Sequence, residues 1–415
     1  MKVALVYDRV NKWGGAERVL LALHKIFPDA PLYTSVYDER KAAWAKVFRV
    51  KTSFLQNFPF ASENHEYYAL LMPLAFESFS FDEYDLVISV TSEAAKGIIT
   101  KPGTRHICYC LTPTRYLWSG YDEYFKNSFF RFISRPVISY LRFWDKIASQ
   151  RPDAFIAISK EVQKRIKKYY DRTSSVIYPP LTLDGASRLT HFPRDACSNL
   201  ITVQEFPRSL NESRCLTKNL LQDQPKSTFS SLKNGQPENS NRQSSIINGQ
   251  YFLIVSRLVP YKKIDLPIRV FNKLGLPLKI VGTGIEENRL KRMAKSNIEL
   301  LGSLTDKELV EYYKDCRALI FPGIEDFGLT IIEAQSFGKP VVAFRKGGSK
   351  ESIINGRTGI FFDSQTEKSL SDAILKFQKM NFNPQDLIKN AEKYSFEEFK
   401  LKIQEEISHL ITKYS

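Results

Sequence analysis

Two glutamates, Glu325 and Glu333, stand eight residues apart in the stretch Glu325-Asp326-Phe327-Gly328-Leu329-Thr330-Ile331-Ile332-Glu333. The first falls just past an apolar run at 318–321 and the second two turns into a helix, so the two carboxylates can reach different parts of one elongated ligand. Gly328 opens that helix, where the absence of a side chain lets backbone N–H groups approach an anionic or hydroxyl-rich ligand. Upstream, Arg257 and Lys262 sit five apart in Ser256-Arg257-Leu258-Val259-Pro260-Tyr261-Lys262-Lys263, directly after the apolar run 252–255. A guanidinium fork and a compact ammonium suit a diphosphate, and a solvated basic turn is the plain alternative. Gly282-Thr283-Gly284-Ile285-Glu286 lacks the third glycine of a dinucleotide fingerprint, so a tight turn into a helix is its simpler explanation. Gly14-Gly15-Ala16-Glu17 puts paired glycines where a first strand would meet a first helix, allowing close approach to phosphate or sugar.

The elements that must position these groups alternate. Apolar runs at 2–7, 85–90, 106–110, 154–158 and 176–178 read as strands, with helices over 16–27 and 160–169, the latter capped by Ser159. The second half repeats the rhythm, with strands at 252–255, 278–281, 298–301, 318–321, 341–344 and 360–362. Its helices fall near 264–274, 286–294, 306–315, 329–337 and 367–380. Strand–helix alternation predicts parallel sheets covered on both faces, hence an α/β protein of two doubly wound domains facing across a cleft. Ligands then belong at the carboxyl ends of the strands. Between the halves, about 207–250 is polar and low in spaced apolar residues, and reads as a flexible insertion.

A chain of 415 residues is too long for one ordinary core. No apolar stretch approaches the roughly 20 residues of a spanning helix, and the N-terminus lacks a signal-peptide pattern, so a cytosolic protein is expected. Five cysteines (Cys108, Cys110, Cys197, Cys215, Cys316) without paired spacing argue against a disulfide framework. Five scattered histidines make no ligand cluster, so no metal site is expected. The net charge of +15 would draw nucleic acid, anionic lipid or phosphorylated substrates. No zinc-finger, RRM or helix-turn-helix pattern favours nucleic acid among them.

Taken together, SRLVPYKK, the Glu-x7-Glu of EDFGLTIIE, VGTGIEE and NKWGGAE resemble the retaining glycosyltransferases of family 4, which have the GT-B fold. The likeness runs over 1–181 and from 251 nearly to the end, and RHICYCLTPTRYLW with VIYPP looks like a branch including mannosyltransferases of surface-polysaccharide assembly. It implies an N-terminal acceptor-side domain (1–181) with a C-terminal helix near 396–415 packed back onto it, an interdomain segment (182–250), and a nucleotide-sugar-binding domain (251–395). The resemblance assigns Arg257 and Lys262 to the donor diphosphate, Glu325 to the transferred sugar and Glu333 to the ribose. It gives the backbone at Phe327, Gly328 and Leu329 to the sugar and phosphate end, with Gly282, Gly284, Gly14 and Gly15 lining the donor site. It implies no cofactor and no metal, the donor being GDP-mannose by preference and the acceptor a glycan or lipid-linked sugar.

Where that family usually has His-Thr-Pro, this chain has Leu111-Thr112-Pro113, and the missing histidine normally lies beside the transferred sugar. That change keeps in view a catalytically weak scaffold of a polysaccharide assembly complex; a nucleotide-sugar epimerase is a further alternative, against which the arrangement of Arg257, Lys262 and Glu-x7-Glu speaks. Finally, residues 124–151 mix Lys126, Arg131, Arg135, Arg142 and Lys146 with Phe125, Phe129, Phe130, Phe132, Tyr140, Phe143 and Trp144. Such a mixture suits an anionic bilayer, placing the protein at the inner face of the cell membrane. The alternative is a core helix pair broken at Pro136.

Overall fold

The computed structural model describes residues 1–125, 127–183 and 250–414. The polar segment expected at about 207–250 lies, except for Gln250, outside the described residues, as do Cys197, Cys215 and Lys126.

Seven parallel strands form the first sheet: β1 Val3–Tyr7, β2 Leu32–Thr34, β3 Val50–Thr52, β4 Leu86–Thr91, β5 Arg105–Cys110, β6 Ala154–Ala157 and β7 Ser175–Val176. Six form the second: β8 Tyr251–Val255, β9 Leu278–Val281, β10 Ile298–Gly302, β11 Cys316–Phe321, β12 Val341–Phe344 and β13 Gly359–Phe362. The orders are β3-β2-β1-β4-β5-β6-β7 and β10-β9-β8-β11-β12-β13. In each sheet the chain builds outward from its first strand and then returns to the other side. The loops leaving β1 and β4, and those leaving β8 and β11, therefore diverge and open a crevice at each switch point. In register, Val3 lies beside Leu86 and Tyr7 beside Val90, which brings the ends of β1 and β4 level.

The strands are apolar runs because both faces are covered: every side chain of β1 and β4 is buried. Leu5, Tyr7, Ile88, Tyr109 and Phe155 share one core with Phe399, Ile403, Ile407 and Leu410 of the last helix, Phe396–Tyr414. Phe327 and Ile332 join that same N-terminal core, so the segment after β11 is packed into both halves of the molecule. Two strands went unread in the sequence, and the helix break considered at Pro136 does not occur. β2 and β3 are three-residue strands, too short to show a period of two. Helix Ser128–Ala148 runs unbroken through Pro136, because Ile138 and Leu141 anchor it beyond the proline and Asn127 caps its start.

That helix is also fixed by a buried ion pair. Lys96 Nζ lies 2.5 Å from Asp145 Oδ1, and Trp118 Nε1 donates to Asp145 Oδ2 at 2.7 Å. Thr114 Oγ1 donates to Asp145 Oδ1 at 3.0 Å, so the carboxylate gathers the loops after β4 and β5 under the helix. Asp145→Asn would leave the Lys96 ammonium buried without its counter-charge. Urea denaturation should show a loss of about 3–5 kcal/mol; a loss below about 1 kcal/mol would mean that water reaches this site.

Candidate functional site

The loop after β8 carries both cations. Lys262 ends the short turn Pro260–Lys262, only 7% exposed, and its ammonium pairs with the Glu325 carboxylate from the loop after β11. Arg257 is exposed, and its guanidinium donates to the Tyr261 hydroxyl at 2.7 Å. No carboxylate among the described residues pairs with Arg257. Ser256, Lys262, Gly323 and Glu325 line a small recess between β8 and β11.

Gly328 has φ of 90° and opens helix Leu329–Ser336 without a side-chain cap. An added side chain there would face the backbone penalty of the left-handed region and crowd Phe321 and Ile331. The N–H groups of Leu329 and Thr330 have no partner among the described residues, which leaves the positive end of the helix open to an anion. The Phe327 ring points the other way, into the interdomain core, where it stacks on Tyr178 at 5.4 Å. Only its backbone is therefore free to meet a ligand.

Gly282 and Gly284 have a structural reason to be glycine. A Cβ on Gly282, whose φ is 131°, would stand 1.9 Å from the Ser256 carbonyl oxygen; one on Gly284 would stand 2.3 Å from that of Leu258. The turn lies against the Arg257 loop, with Leu258 N donating to Thr283 O at 2.8 Å. Gly347 and Gly348, not singled out from the sequence, do the same for the acidic loop. Their added Cβ atoms would each approach 2.4 Å, to Glu325 O and to Phe327 Cα. Gly348 N donates to Glu325 O at 2.9 Å.

Glu333 is 2% exposed, and both of its oxygens are engaged: Oε1 by Arg18 of the N-terminal domain, Oε2 by the Tyr313 hydroxyl at 2.8 Å. Gly15 faces the first turn of the same helix across the domain boundary, where a Cβ would lie 3.1 Å from Leu329 Cδ1. Gly14 is extended, and its neighbour Glu17 accepts from Tyr7 at 2.6 Å. Leu111 follows β5, hydrogen-bonded through its N–H to Thr91 O at 2.8 Å, with its side chain against the N-terminal core.

Several charged residues at the cleft were missed from the sequence. Asp326 accepts from Arg115 at 2.8 Å and also pairs with Arg165, both from the N-terminal domain. Burial works against the Arg115 charge, but Asp326 outweighs it and holds the guanidinium above its usual value. Glu351 accepts from the N–H groups of Lys160 and Glu161 at 2.7 and 3.0 Å, capping helix Lys160–Tyr170 from the opposite domain. The one signal available for Asp326 was its place beside Glu325. Among the described residues no three His, Cys, Asp or Glu side chains cluster to hold a metal.

Residues 236–394 match the family described as "Glycosyl transferases group 1". An uncharacterized glycosyltransferase of Methanocaldococcus jannaschii is 30% identical over 163 residues, 35% of this chain and 46% of that protein. A GDP-mannose-dependent alpha-(1-6)-phosphatidylinositol monomannoside mannosyltransferase of Mycolicibacterium smegmatis is 29% identical over 138 residues, 29% of this chain and 36% of that protein. The chain thus spans less than half the length of these curated relatives. The solved structure of HepE from Anabaena, in complex with UDP and glucose, superposes with a TM-score of 0.61 at 18% identity, covering 99% of this chain and 100% of that one. The chain therefore has the expected fold, two parallel-sheet domains of the GT-B kind, and its residues 236–394 match the glycosyl transferases group 1 model.

The packing of the 282–284 turn predicts the behaviour of Gly282→Ala. If the glycine serves the backbone contact with Ser256, the ligand-free variant should lose about 1–3 kcal/mol of stability. Thermal melting measures this. Unchanged melting in the ligand-free protein would instead assign the glycine to ligand approach alone.

Proposed function

We propose that this protein is a retaining glycosyltransferase that moves a hexosyl group, with mannose favoured, from a nucleotide-sugar to a glycan or lipid-linked acceptor of cell-surface polysaccharide. The observation carrying this reading is the open anion site: Arg257, which no carboxylate of the described residues pairs, the Lys262 ammonium, and the N–H groups of Leu329 and Thr330, which no described residue bonds, beyond the ends of β8 and β11. Transfer breaks the bond between the anomeric carbon and a diphosphate oxygen, so negative charge grows on the departing diphosphate. Fixed cations and a helix N-terminus stabilise that charge without needing a metal ion. Glu325, paired with Lys262 and partly exposed, faces the transferred sugar, and Glu333 serves the ribose. The M. smegmatis relative, named for GDP-mannose, supports GDP-mannose as donor.

Three nucleotide-sugars distinguish the possibilities: GDP-mannose, UDP-glucose and ADP-glucose. At about 100 times its dissociation constant the true donor adds roughly 2.7 kcal/mol of stability, readable as a thermal shift. GDP-mannose should give that shift. Transfer should persist in EDTA, and Arg257→Ala should lower kcat more than Arg257→Lys, by about 10²–10³-fold for a lost charge-stabilising donor. Activity abolished by EDTA and restored by magnesium would overturn the metal-free mechanism; binding of donor without transfer would favour the scaffold.

The acceptor side of the proposal involves the helix Ser128–Ala148. Phe132, Ile133, Tyr140, Phe143 and Ile147 are each between 45% and 69% exposed along one face, beside the exposed Arg135 and Lys146. Leu70 and Leu74, 48% and 56% exposed, lie on the segment whose Ala69 packs against Ile138 and Leu141 of that helix. Arg142 does not belong to this face: it donates to Leu117 O at 2.7 Å and lies over Tyr121. No helix of the described residues is long and apolar enough to cross a membrane. An apolar face flanked by cations, on a chain of net charge +15, fits an anionic lipid surface, where a lipid-linked acceptor would be presented. Phe132→Asp with Phe143→Asp should abolish flotation with phosphatidylglycerol vesicles and leave the melting temperature unchanged. Equal flotation of the variant would remove this face as the docking surface.

A further inference from the structure

The carboxylate of Glu333 sits at a point where two demands meet. Arg18, on helix Gly15–Ile26 of the N-terminal domain, places Nη1 on Glu333 Oε1 and on Thr182 Oγ1, the latter at 2.6 Å. Its other nitrogen, Nη2, lies 3.0 Å from Asp306 Oδ1 at the start of helix Asp306–Asp315. Tyr313 holds the second oxygen of Glu333. The guanidinium is 11% exposed and the carboxylate side chain 3% exposed, so the pair is closed off from solvent. Burial alone works against the Arg18 charge, but Glu333 and Asp306 more than restore it. Arg18 thereby pins the N-terminal domain to the C-terminal one at the position where Gly15 meets Leu329.

A ribose diol needs the same carboxylate. Both oxygens of Glu333 are occupied and sealed, so two hydroxyls cannot bridge them while the guanidinium stays in place. We propose that Arg18 sets the affinity of this cleft for nucleotides by competing with the ribose diol for Glu333, a contact the nucleotide gains only when the domains part and Arg18 withdraws. This rests on the glycosyl-transfer reading, which gives Glu333 to the ribose, and adds a residue that the reading does not contain. Arg18 is a positioning residue in this account, acting through Glu333 and never touching the reacting atoms. The diphosphate end of the ligand, held at Arg257 and Lys262, lies outside the competition, and this separates the proposal from a general loss of structure.

The test is calorimetric titration of the full chain with GDP, UDP and inorganic pyrophosphate, which has the phosphates and no ribose. Arg18→Gln removes the cation and leaves Glu333 and Asp306 without it, which favours the open arrangement. The nucleoside diphosphate that wild type binds should bind Arg18→Gln about ten-fold more tightly, the scale of one charge-assisted hydrogen bond. Pyrophosphate affinity should not move. Arg18→Lys, which keeps the charge but loses the fork, should fall between, and it stands in if Arg18→Gln does not melt cooperatively. In a Glu333→Gln background the Arg18→Gln effect should disappear. Nucleotide affinity equal to or weaker than wild type, or a shift of pyrophosphate by the same factor, overturns the proposal. If wild type binds a nucleoside diphosphate and Arg18→Gln leaves that affinity unchanged, this inference alone falls. If wild type binds neither GDP nor UDP, the glycosyl-transfer reading falls and takes the inference with it.

Discussion

Three carboxylates of the C-terminal domain, Asp326, Glu333 and Glu351, reach across the cleft and are held by donors of the N-terminal domain. Arg115 and Arg165 take the first, Arg18 the second, and the first N–H groups of helix Lys160–Tyr170 the third. Each is partly or wholly removed from water, where an unpaired charge is costly, so separating the domains must replace these partners with water or ligand. The rest of the arrangement depends on this constraint. Asp326 and Glu333 lie within the segment that holds Glu325 and Gly328, and Glu351 follows the glycine pair that supports it. Whatever moves the domains therefore moves the acidic loop.

Against that tethered loop stands a basic one with spare capacity. Lys262 is committed to Glu325, while Arg257 is held by a neutral hydroxyl alone among the described residues. The turn at Gly282–Gly284 lies under the Arg257 loop backbone, so the cation is presented from a supported base. Preorganised charge of this kind does its work without reorganising when charge develops on a ligand. The apolar face of helix Ser128–Ala148 belongs to the same domain that supplies Arg18, Arg115 and Arg165.

Much of the fold was legible because its strands are buried on both faces. The runs at 341–344 and 278–281 coincide with β12 and β9, since continuous apolar runs between helices have few other solutions. β2 and β3 were not legible: three residues cannot display a period, and their place is set by pairing with β1 and with each other. Pro136 invited a helix break that tertiary packing overrides. At the site, residue types and spacing pointed to the loops but not to their contacts. Glu333 and its partner Arg18 are 315 residues apart, a pairing no local pattern records. Gly282 and Gly284 were visible as glycines, but only the structure shows that their neighbours are carbonyl oxygens of the Arg257 loop.

If the site binds a nucleotide, its phosphates should lodge where β8 and β11 end, between the Arg257 loop and the opening of helix Leu329–Ser336. Amide hydrogen exchange of the full chain, with and without saturating GDP or UDP, tests it most directly. Exchange should slow at Arg257 to Lys263 and at Gly328 to Thr330, whose N–H groups or neighbouring side chains the phosphates would engage. Protection confined to the N-terminal domain, with exchange in both of those loops unchanged at saturation, would contradict it.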